Sequence, residues 1–305
     1  MVMKKCGPVL VTGASTGIGR AIVEILASSG HLVYATARRE SDMRILEHIP
    51  NVDPIRLDVT KPATVEKAAE TVKKRGEGLF GLVNNAGVAV GWPLPTFDVE
   101  DMIQDFDVNV FGVHRITNAM LPFLIRSKGR IVNITSINGL SSEKYFGAYS
   151  MTKHALEAYS DALSSELEKY NVKVSVVEPG RYPSDIWQKG LVRILRIAEK
   201  HKAKYFGQEA KEIVEWAASS ARSAAKEPRP RIIPDAVMDA LFSKHPRFRY
   251  CPCANEGELT WAIEGPIVRS VQANLGGGES AISKEELHSM LDKVWDKEAK
   301  KPRLK

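Results

Sequence analysis

The chain has 305 residues, 44% of them hydrophobic, which is enough for one large or two small globular domains. Its net charge of +6 is concentrated in residues 185–231 and 297–305, so the composition excludes a uniformly basic nucleic-acid-binding protein. No apolar run approaches the ~18 residues of a transmembrane helix, and the cysteines and histidines show no metal-ligand spacing. We therefore expect a cytoplasmic protein without a metal site.

Six short apolar segments alternate with helical segments over the first 180 residues, which is the pattern of a parallel sheet covered by helices. The predicted strands are residues 9–12, 32–36, 55–59, 79–83, 130–134 and 172–177. The clearest helices are predicted at 18–29, 63–75 and 148–170. This order predicts an α/β protein with a doubly wound parallel sheet, the Rossmann fold, in which ligands bind beyond the carboxyl ends of the strands.

The alternation breaks down after Gly180. Residues 185–231 are predicted to form a basic, helical substrate lid within a single catalytic domain over 1–255, which also contains a helix at 235–243 and a last strand at 248–251. Residues 256–305 would be a C-terminal extension, ambiguous at 261–271, with a terminal helix that a capping box of Ser283 and Glu286 starts. Arg193 and Arg196 lie three apart in the lid. The alternatives to a lid are that this pair lies on a solvated helix face or that it binds an anionic membrane surface or an acidic partner.

A glycine-rich turn lies between the first predicted strand and the first predicted helix. Glycines there permit a tight turn and the close approach of a pyrophosphate, and the helix N-terminus provides free N–H groups. A plain turn is the alternative, but the position between strand and helix favours a dinucleotide site. The candidate cofactor-binding residues of this turn are Gly13, Ser15, Thr16, Gly17, Ile18 and Gly19.

The end of the second predicted strand bears on which dinucleotide binds. Folds that bind NAD place a carboxylate here, on the ribose 2′-hydroxyl. This chain instead has Arg38 and Arg39, whose guanidinium groups suit a 2′-phosphate. NADP(H) is therefore favoured over NAD(H), with the alternative that both arginines are simply solvated.

Tyr149 and Lys153 are four residues apart on a predicted helix, so they lie on one face. At ~4 Å and an effective dielectric of ~20, a lysine charge would favour the phenolate by ~4 kcal/mol, or roughly three pKa units. The pKa of Tyr149 would then fall from ~10 toward neutrality, which suits proton transfer. The isolated spacing is common by chance, so its meaning depends on the rest of the chain.

Six motifs occur in order along the predicted elements. They are Thr12-Gly13-x-x-x-Gly17-x-Gly19, Asn84-Asn85-Ala86-Gly87, Asn109, Ser136, Tyr149-x-x-x-Lys153 and Pro179-Gly180. With these motifs the chain resembles the short-chain dehydrogenase/reductase family over residues 7–252. It looks most like the members that act on steroids and retinoids, such as 17β-hydroxysteroid dehydrogenases and retinol dehydrogenases.

The resemblance implies a role for each matching residue. Tyr149 would be the general acid or base, and Lys153 would lower its pKa and hold the nicotinamide ribose. Ser136 would bind the substrate oxygen, and Asn109 would hold a water linked to Lys153. Further cofactor contacts would come from Asp58, Val59, Asn85, Ala86, Gly87, Pro179, Gly180 and Ser184, the last of which stands where family members usually have threonine.

The implied reaction is hydride transfer between a nicotinamide and a carbonyl or secondary alcohol. Apolar loop residues favour a lipophilic substrate, although they suit packing equally well: Val88, Val90, Trp92, Leu94, Leu140, Tyr145 and Phe146. A cofactor-binding scaffold that regulates a partner with little turnover is the alternative function. The resemblance also implies a homodimer or homotetramer.

Overall fold

The computed structural model describes residues 7–182, 185–200, 207–224, 231–275 and 282–300. Its centre is one parallel sheet with the strand order β3-β2-β1-β4-β5-β6-β7. The strands are β1 (Val9–Val11), β2 (Val33–Ala37), β3 (Val52–Arg56), β4 (Gly81–Asn84), β5 (Arg130–Ile134), β6 (Lys173–Val177) and β7 (Arg249–Tyr250). The predicted doubly wound sheet is confirmed, and its strand order reverses between β1 and β4, where such folds bind ligands.

Helices cover both faces of the sheet. They are α1 (Gly17–Ser28), α2 (Glu40–Glu47), α3 (Pro62–Arg75), α4 (Val99–Phe106), α5 (Gly112–Ser127), α6 (Gly147–Leu167), α7 (Asp185–Lys200), α8 (Gly207–Ala224), α9 (Ile232–Phe242), α10 (Glu256–Leu275) and α11 (Lys284–Ala299). Within β1, Val9 and Val11 pack with α1 and α9, whereas Leu10 packs with α3 and α5. Since successive strand side chains point to opposite faces, a sheet covered on both sides has the continuous apolar strands seen in the sequence.

A buried polar network joins the middle of the sheet to two helices. Asn84 donates from Nδ2 to Thr117 Oγ1 at 3.1 Å and to Asn133 Oδ1 at 2.8 Å. Asn133 in turn donates to Ser160 Oγ at 2.8 Å. All four residues are fully or almost fully buried. The network therefore fixes α5 and α6 relative to β4 and β5 without any charge.

The segment predicted to be a lid, which we continue to call the lid, contains α7 and α8, and these pack over the loops at the carboxyl end of the sheet. Their buried residues Ile194, Ile197 and Ile213 share an apolar cluster with Trp92 and Phe146. The basic face of α7 is paired as well, because Arg193 binds Asp101 and Asp105 of α4, and Arg196 binds Asp101 at 2.7 Å. Arg193 and Arg196 thus attach the lid to the domain. Arg193 is therefore not on a solvated face, whereas Arg196 is 60% exposed, and the choice between a lid and a membrane-binding face stays a prediction.

One predicted strand is displaced in the structure. The third strand, predicted at 55–59, is Val52–Arg56 and contains Pro54. This strand lies at the edge of the sheet, where a proline without an N–H is tolerated. Residues 261–271, whose secondary structure the sequence left ambiguous, lie inside α10. The predicted capping box of Ser283 and Glu286 is confirmed at α11.

The start of α10 touches the main domain, where Ser141 Oγ donates to the Trp261 carbonyl at 3.1 Å. The boundary between catalytic domain and extension at residue 255 stays a prediction. Among the described residues, no helix combines the length and the apolar character that crossing a membrane requires.

Candidate active site

A cavity of about 320 Å³ opens at the carboxyl ends of the strands. Most of the predicted site residues line it: Gly13, Ser15, Thr16, Gly17, Ile18, Gly19, Arg38, Arg39, Asp58, Val59, Asn85, Ala86, Gly87, Ser136, Tyr149, Lys153, Pro179 and Gly180. Asn109 is not among the lining residues. Ser184 lies outside the described residues. One cavity therefore joins the glycine turn after β1 to the tyrosine and lysine of α6.

The glycine turn is shaped for close approach of a ligand to the backbone. Gly13 and Gly17 have φ angles of +64° and +58°, which side-chain-bearing residues rarely adopt. A Cβ atom on Gly13 would lie 2.9 Å from Ala86 Cα. Asn85 holds the turn from the neighbouring strand, because its Nδ2 donates to the carbonyls of Thr12 at 2.9 Å and Gly13 at 3.1 Å. The result is a cradle at the N-terminus of α1 in which Gly13 and Gly17 leave the backbone open to a ligand, which suits a phosphate group.

The opposite rim follows β2 and β3. Arg38 and Arg39 are exposed there, and Arg39 precedes the first turn of α2. Asp42, in that turn, also lines the cavity. Asp58 is partly buried and accepts hydrogen bonds from Thr60 through its backbone N–H and its hydroxyl. This rim combines two free-standing guanidinium groups with an anchored carboxylate.

Ser136, Tyr149 and Lys153 meet at the other end of the cavity. Ser136 is buried after the end of β5, where its Oγ accepts from the Asn138 N–H at 3.1 Å and lies near the Tyr149 side chain. Lys153 is also buried, donates to the Ile134 carbonyl at 3.0 Å, and has its Nζ 5.6 Å from the centre of the Tyr149 ring. The spacing of four residues on α6 therefore produces the predicted juxtaposition.

The expected effect of Lys153 on the pKa of Tyr149 is wrong for this structure. Burial raises the pKa of Tyr149 to about 12, and the hydrogen bond from Ser136 only partly opposes this. Burial likewise lowers the pKa of Lys153 to about 8, while the nearby Glu157 carboxylate raises it. The low-polarity surroundings disfavour the charged forms of both residues.

Asn109 supports the site from behind the cavity wall. It lies in a π-helical turn, Asp107–Phe111, between α4 and α5. Its side chain accepts from the Val88 N–H and donates to the Val88 carbonyl, both at 2.9 Å, and donates to Thr152 Oγ1 at 3.0 Å. Asn109 thus ties the loop after β4 to the helix that carries Tyr149, and its predicted contact with a water stays a prediction.

A buried ionic cluster adjoins Lys153 and was not predicted. Arg249 of β7 contacts Glu157 of α6 and donates to Glu178 Oε1 at 2.6 Å. Both carboxylates are buried. Burial, followed by repulsion from Glu157, raises the pKa of Glu178 to about 7. Glu157 comes one helical turn after Lys153, so the cluster contributes to the electrostatics of the catalytic end of the cavity.

The lid contributes residues that sequence reasoning missed. Trp216 of α8 stacks edge-on against Phe146, with ring centres 5.2 Å apart, and Phe146 contacts the Tyr149 ring in the same way at 6.4 Å. Trp216, Lys189 and Arg193 all line the cavity. The helical spacing of Ile213, Trp216 and Ala217 was a usable signal for an inward-facing stripe, but nothing in the sequence marked Lys189. Among the apolar residues considered for substrate contact, Val88, Val90 and Phe146 line the cavity, whereas Trp92 is buried in the packing beneath the lid.

A parallel sheet with a glycine cradle at the point where the strand order reverses defines a nucleotide-binding α/β protein. The chain belongs to the short-chain dehydrogenase/reductase family, since residues 8–191 match the family described as short chain dehydrogenase. Its fold is the one that its motifs predict, and the chain spans 64% of the length of the first relative described below.

The relatives within this family are varied. A 3-amino-tetrahydro-pyrrolizinone reductase from Xenorhabdus hominickii is 41% identical over 186 residues, which cover 60% of this chain and 64% of that relative. Retinol dehydrogenase 16 of Homo sapiens and 17-beta-hydroxysteroid dehydrogenase type 6 of Mus musculus are each 32% identical, and each match covers 79% of both chains. A solved short-chain dehydrogenase from Streptomyces avermitilis has a TM-score of 0.67 at 26% identity, over 99% of this chain and all of that one. Steroid- and retinoid-active proteins are thus among its relatives.

Proposed function

We propose that the protein is an NADP-dependent oxidoreductase that interconverts a carbonyl group and a secondary alcohol on a lipophilic substrate. The observation that carries this proposal is that Ser136, Tyr149 and Lys153 share one cavity with the glycine turn. When bound in that cavity, the nicotinamide supplies or accepts the hydride.

The residues of the cavity fit such a cofactor. The cradle around Gly13 and Gly17 leaves room for a pyrophosphate next to the N-terminus of α1. Arg38 and Arg39 stand at the end of β2, where a 2′-phosphate would need cationic donors. This supports NADP(H) over NAD(H).

The state of Tyr149 favours the reductive direction. With its pKa raised to about 12, the phenol keeps its proton at neutral pH. It would donate that proton to the substrate oxygen as negative charge develops there, while the Ser136 hydroxyl hydrogen-bonds the same oxygen. The buried ammonium of Lys153, held by the Ile134 carbonyl, would stabilise the phenolate that remains.

The substrate side of the cavity is apolar. Val90, Phe146 and Trp216 line it next to Tyr149. An apolar wall with a few convergent polar groups suits a lipophilic ketone or alcohol. The names of two relatives, a retinol dehydrogenase and a 17-beta-hydroxysteroid dehydrogenase, support a retinoid or steroid as the first substrates to test.

One kinetic experiment tests both the reaction and the cofactor. Oxidation of NADPH and NADH is followed against steroid, retinoid, quinone and aliphatic carbonyls. Tyr149→Phe is expected to lower kcat by about 10²–10⁴-fold because it removes the proton donor, while the affinity for NADPH is unchanged. Tyr159→Phe, on the same helix, is the matched control and should retain activity. NADPH binding without turnover, and without any effect of Tyr149→Phe, would support a regulatory scaffold instead.

The cofactor preference is read from the same assay. Arg38→Ala should raise the KM for NADPH about tenfold or more, because a charge-assisted hydrogen bond is lost, and should leave the KM for NADH nearly unchanged. Asp42→Ala is the control on the same rim. A preference for NADH that Asp42→Ala abolishes and Arg38→Ala does not affect would identify NAD(H) as the cofactor.

A further inference from the structure

A lysine of the lid reaches the glycine turn. Lys189 of α7 donates from Nζ to Thr16 Oγ1 at 2.7 Å, across 173 residues of sequence. Lys189 and Thr16 both line the cavity. The lid therefore touches the part of the site that the sequence assigns to phosphate binding, as well as the substrate side.

The same hydrogen bond bears on the N-terminus of α1. Thr16 is the N-cap residue, with extended backbone angles, and a threonine there commonly accepts from an N–H of the first helical turn. In the described structure the Thr16 side chain makes no such hydrogen bond to α1. The Thr16 hydroxyl accepts from Lys189 instead, so the first N–H groups of α1 remain available to a ligand in the cavity.

The positive charges around the N-terminus of α1 favour the binding of an anion there. The N-terminus of a helix carries a partial positive charge, so an ammonium beside it is repelled. Arg38 and Arg39 add two more cations to the lining of the same cavity. An anionic group between α1 and Lys189 would be attracted by both, and a pyrophosphate offers several oxygens for donors on opposite sides.

The backbone of α7 is shaped for this close approach. A Cβ atom on Gly190 would lie 2.8 Å from the Ala89 carbonyl oxygen, so a larger residue would push the helix away from the loop after β4. One turn later, Arg193 pairs with Asp101 and Asp105 of α4. Lys189 is thus presented to the turn by a helix that lies close to the loop after β4 at Gly190 and is held by α4 one turn later at Arg193.

We propose that Lys189 is a ligand of the cofactor's pyrophosphate, so that α7 closes directly onto the bound dinucleotide. This inference rests on the proposed function. On cofactor binding, the ammonium would donate to phosphate oxygens while the N–H groups of α1 bind the opposite side of the same group. Because α7 and α8 form one apolar cluster with Phe146, cofactor binding would also complete the substrate chamber.

Calorimetric titration of the full chain tests the contact without requiring turnover. Lys189→Met should weaken NADPH binding about tenfold, since one charge-assisted hydrogen bond is lost. Lys189→Arg should restore most of the affinity. Lys200→Met is the matched control, because Lys200 lies on the same helix but pairs with Asp98, and its affinity should equal that of the wild type. Thermal unfolding of each variant checks that the fold is retained.

A cofactor fragment localises the contact. Adenosine 2′-monophosphate has the 2′-phosphate but no pyrophosphate, so Lys189→Met should leave its affinity unchanged. NADPH should also protect α7 from trypsin in the wild type and not in Lys189→Met.

Three results would overturn the proposal. The first is equal NADPH affinity in the wild type and in Lys189→Met. The second is that Lys189→Met loses as much affinity for adenosine 2′-monophosphate as for NADPH, which would place Lys189 at the 2′-phosphate. In both cases the proposed function still stands. A wild-type chain that binds no dinucleotide overturns this inference together with the proposed function.

Discussion

The centre of the sheet and the lid bury polar groups in opposite ways. In the centre, neutral hydrogen bonds link Asn84 and Asn133 to each other and to two hydroxyls. The lid is attached by charge, through the pairing of Arg193 with the almost fully buried Asp105. Neutral hydrogen bonds respond little to pH or salt, whereas ion pairs respond to both. The sheet centre should therefore respond less to pH than the attachment of α7 to α4 does.

The Arg249 cluster is the exception within the core. It buries Glu157 and Glu178 against one guanidinium group, at the edge of the sheet nearest the lysine of the site. We therefore expect that any pH dependence of the stability of the core originates at this edge and not at the sheet centre.

The largest expected effect comes from breaking the neutral, close-packed centre at the glycine turn. A Cβ atom on Gly19 would overlap the Asn85 side-chain amide and the Gly13 carbonyl. Gly19→Ala should therefore weaken NADPH binding by at least about 100-fold, or about 2.7 kcal/mol, and also lower the melting temperature. Gly7→Ala is the control, because its Cβ would have no neighbour closer than 3.6 Å. Titration with NADPH measures the effect, and wild-type affinity in Gly19→Ala would show that the turn is less rigid than its contacts indicate.

The sheet and the glycine turn could be predicted because their signals are local. Strands buried on both faces are continuous apolar runs, and a turn that needs positive φ at Gly13 and Gly17 requires glycine in the sequence itself. The pairing of Tyr149 with Lys153 follows from helix geometry alone. For this reason the predicted residues converge on one cavity.

The remaining features depend on contacts between distant parts of the chain. Lys189 meets Thr16 across 173 residues, and Arg249 meets Glu178 across 71. No periodicity or motif marks such contacts. The predicted lowering of the Tyr149 pKa was wrong for a related reason. The attraction of Lys153 for a phenolate can be inferred from the spacing, whereas the burial that raises the pKa depends on the whole fold.

An intermediate effect is expected from breaking the charged attachment of the lid. Arg193→Met leaves the Asp105 carboxylate buried without its cation, so it should destabilise the protein by about 2 kcal/mol. Arg196→Met is the control, since that side chain is 60% exposed, and should cost less than about 0.5 kcal/mol. Urea unfolding measures both. The double variant Asp105→Asn with Arg193→Met should be more stable than Arg193→Met alone, and strictly additive effects would show that the pair does not hold the lid.

The smallest expected effect is the pH dependence of the Arg249 cluster. The pKa of Glu178 is raised to about 7 in the folded protein, above the ordinary value of 4.5. A carboxyl group whose pKa rises on folding stabilises the fold while it is protonated, and this contribution is lost as the pH rises from about 4.5 through about 7. Glu178→Gln, which mimics the protonated form, should therefore gain at least about 1 kcal/mol of stability relative to the wild type as the pH rises from 5 to 8. Asp161→Asn removes an exposed carboxylate that contacts the same Arg249, and its stability should follow that of the wild type at every pH. Urea unfolding at each pH gives the three curves; parallel curves for Glu178→Gln and the wild type would mean that the core, like the sheet centre, has no titrating group in this range.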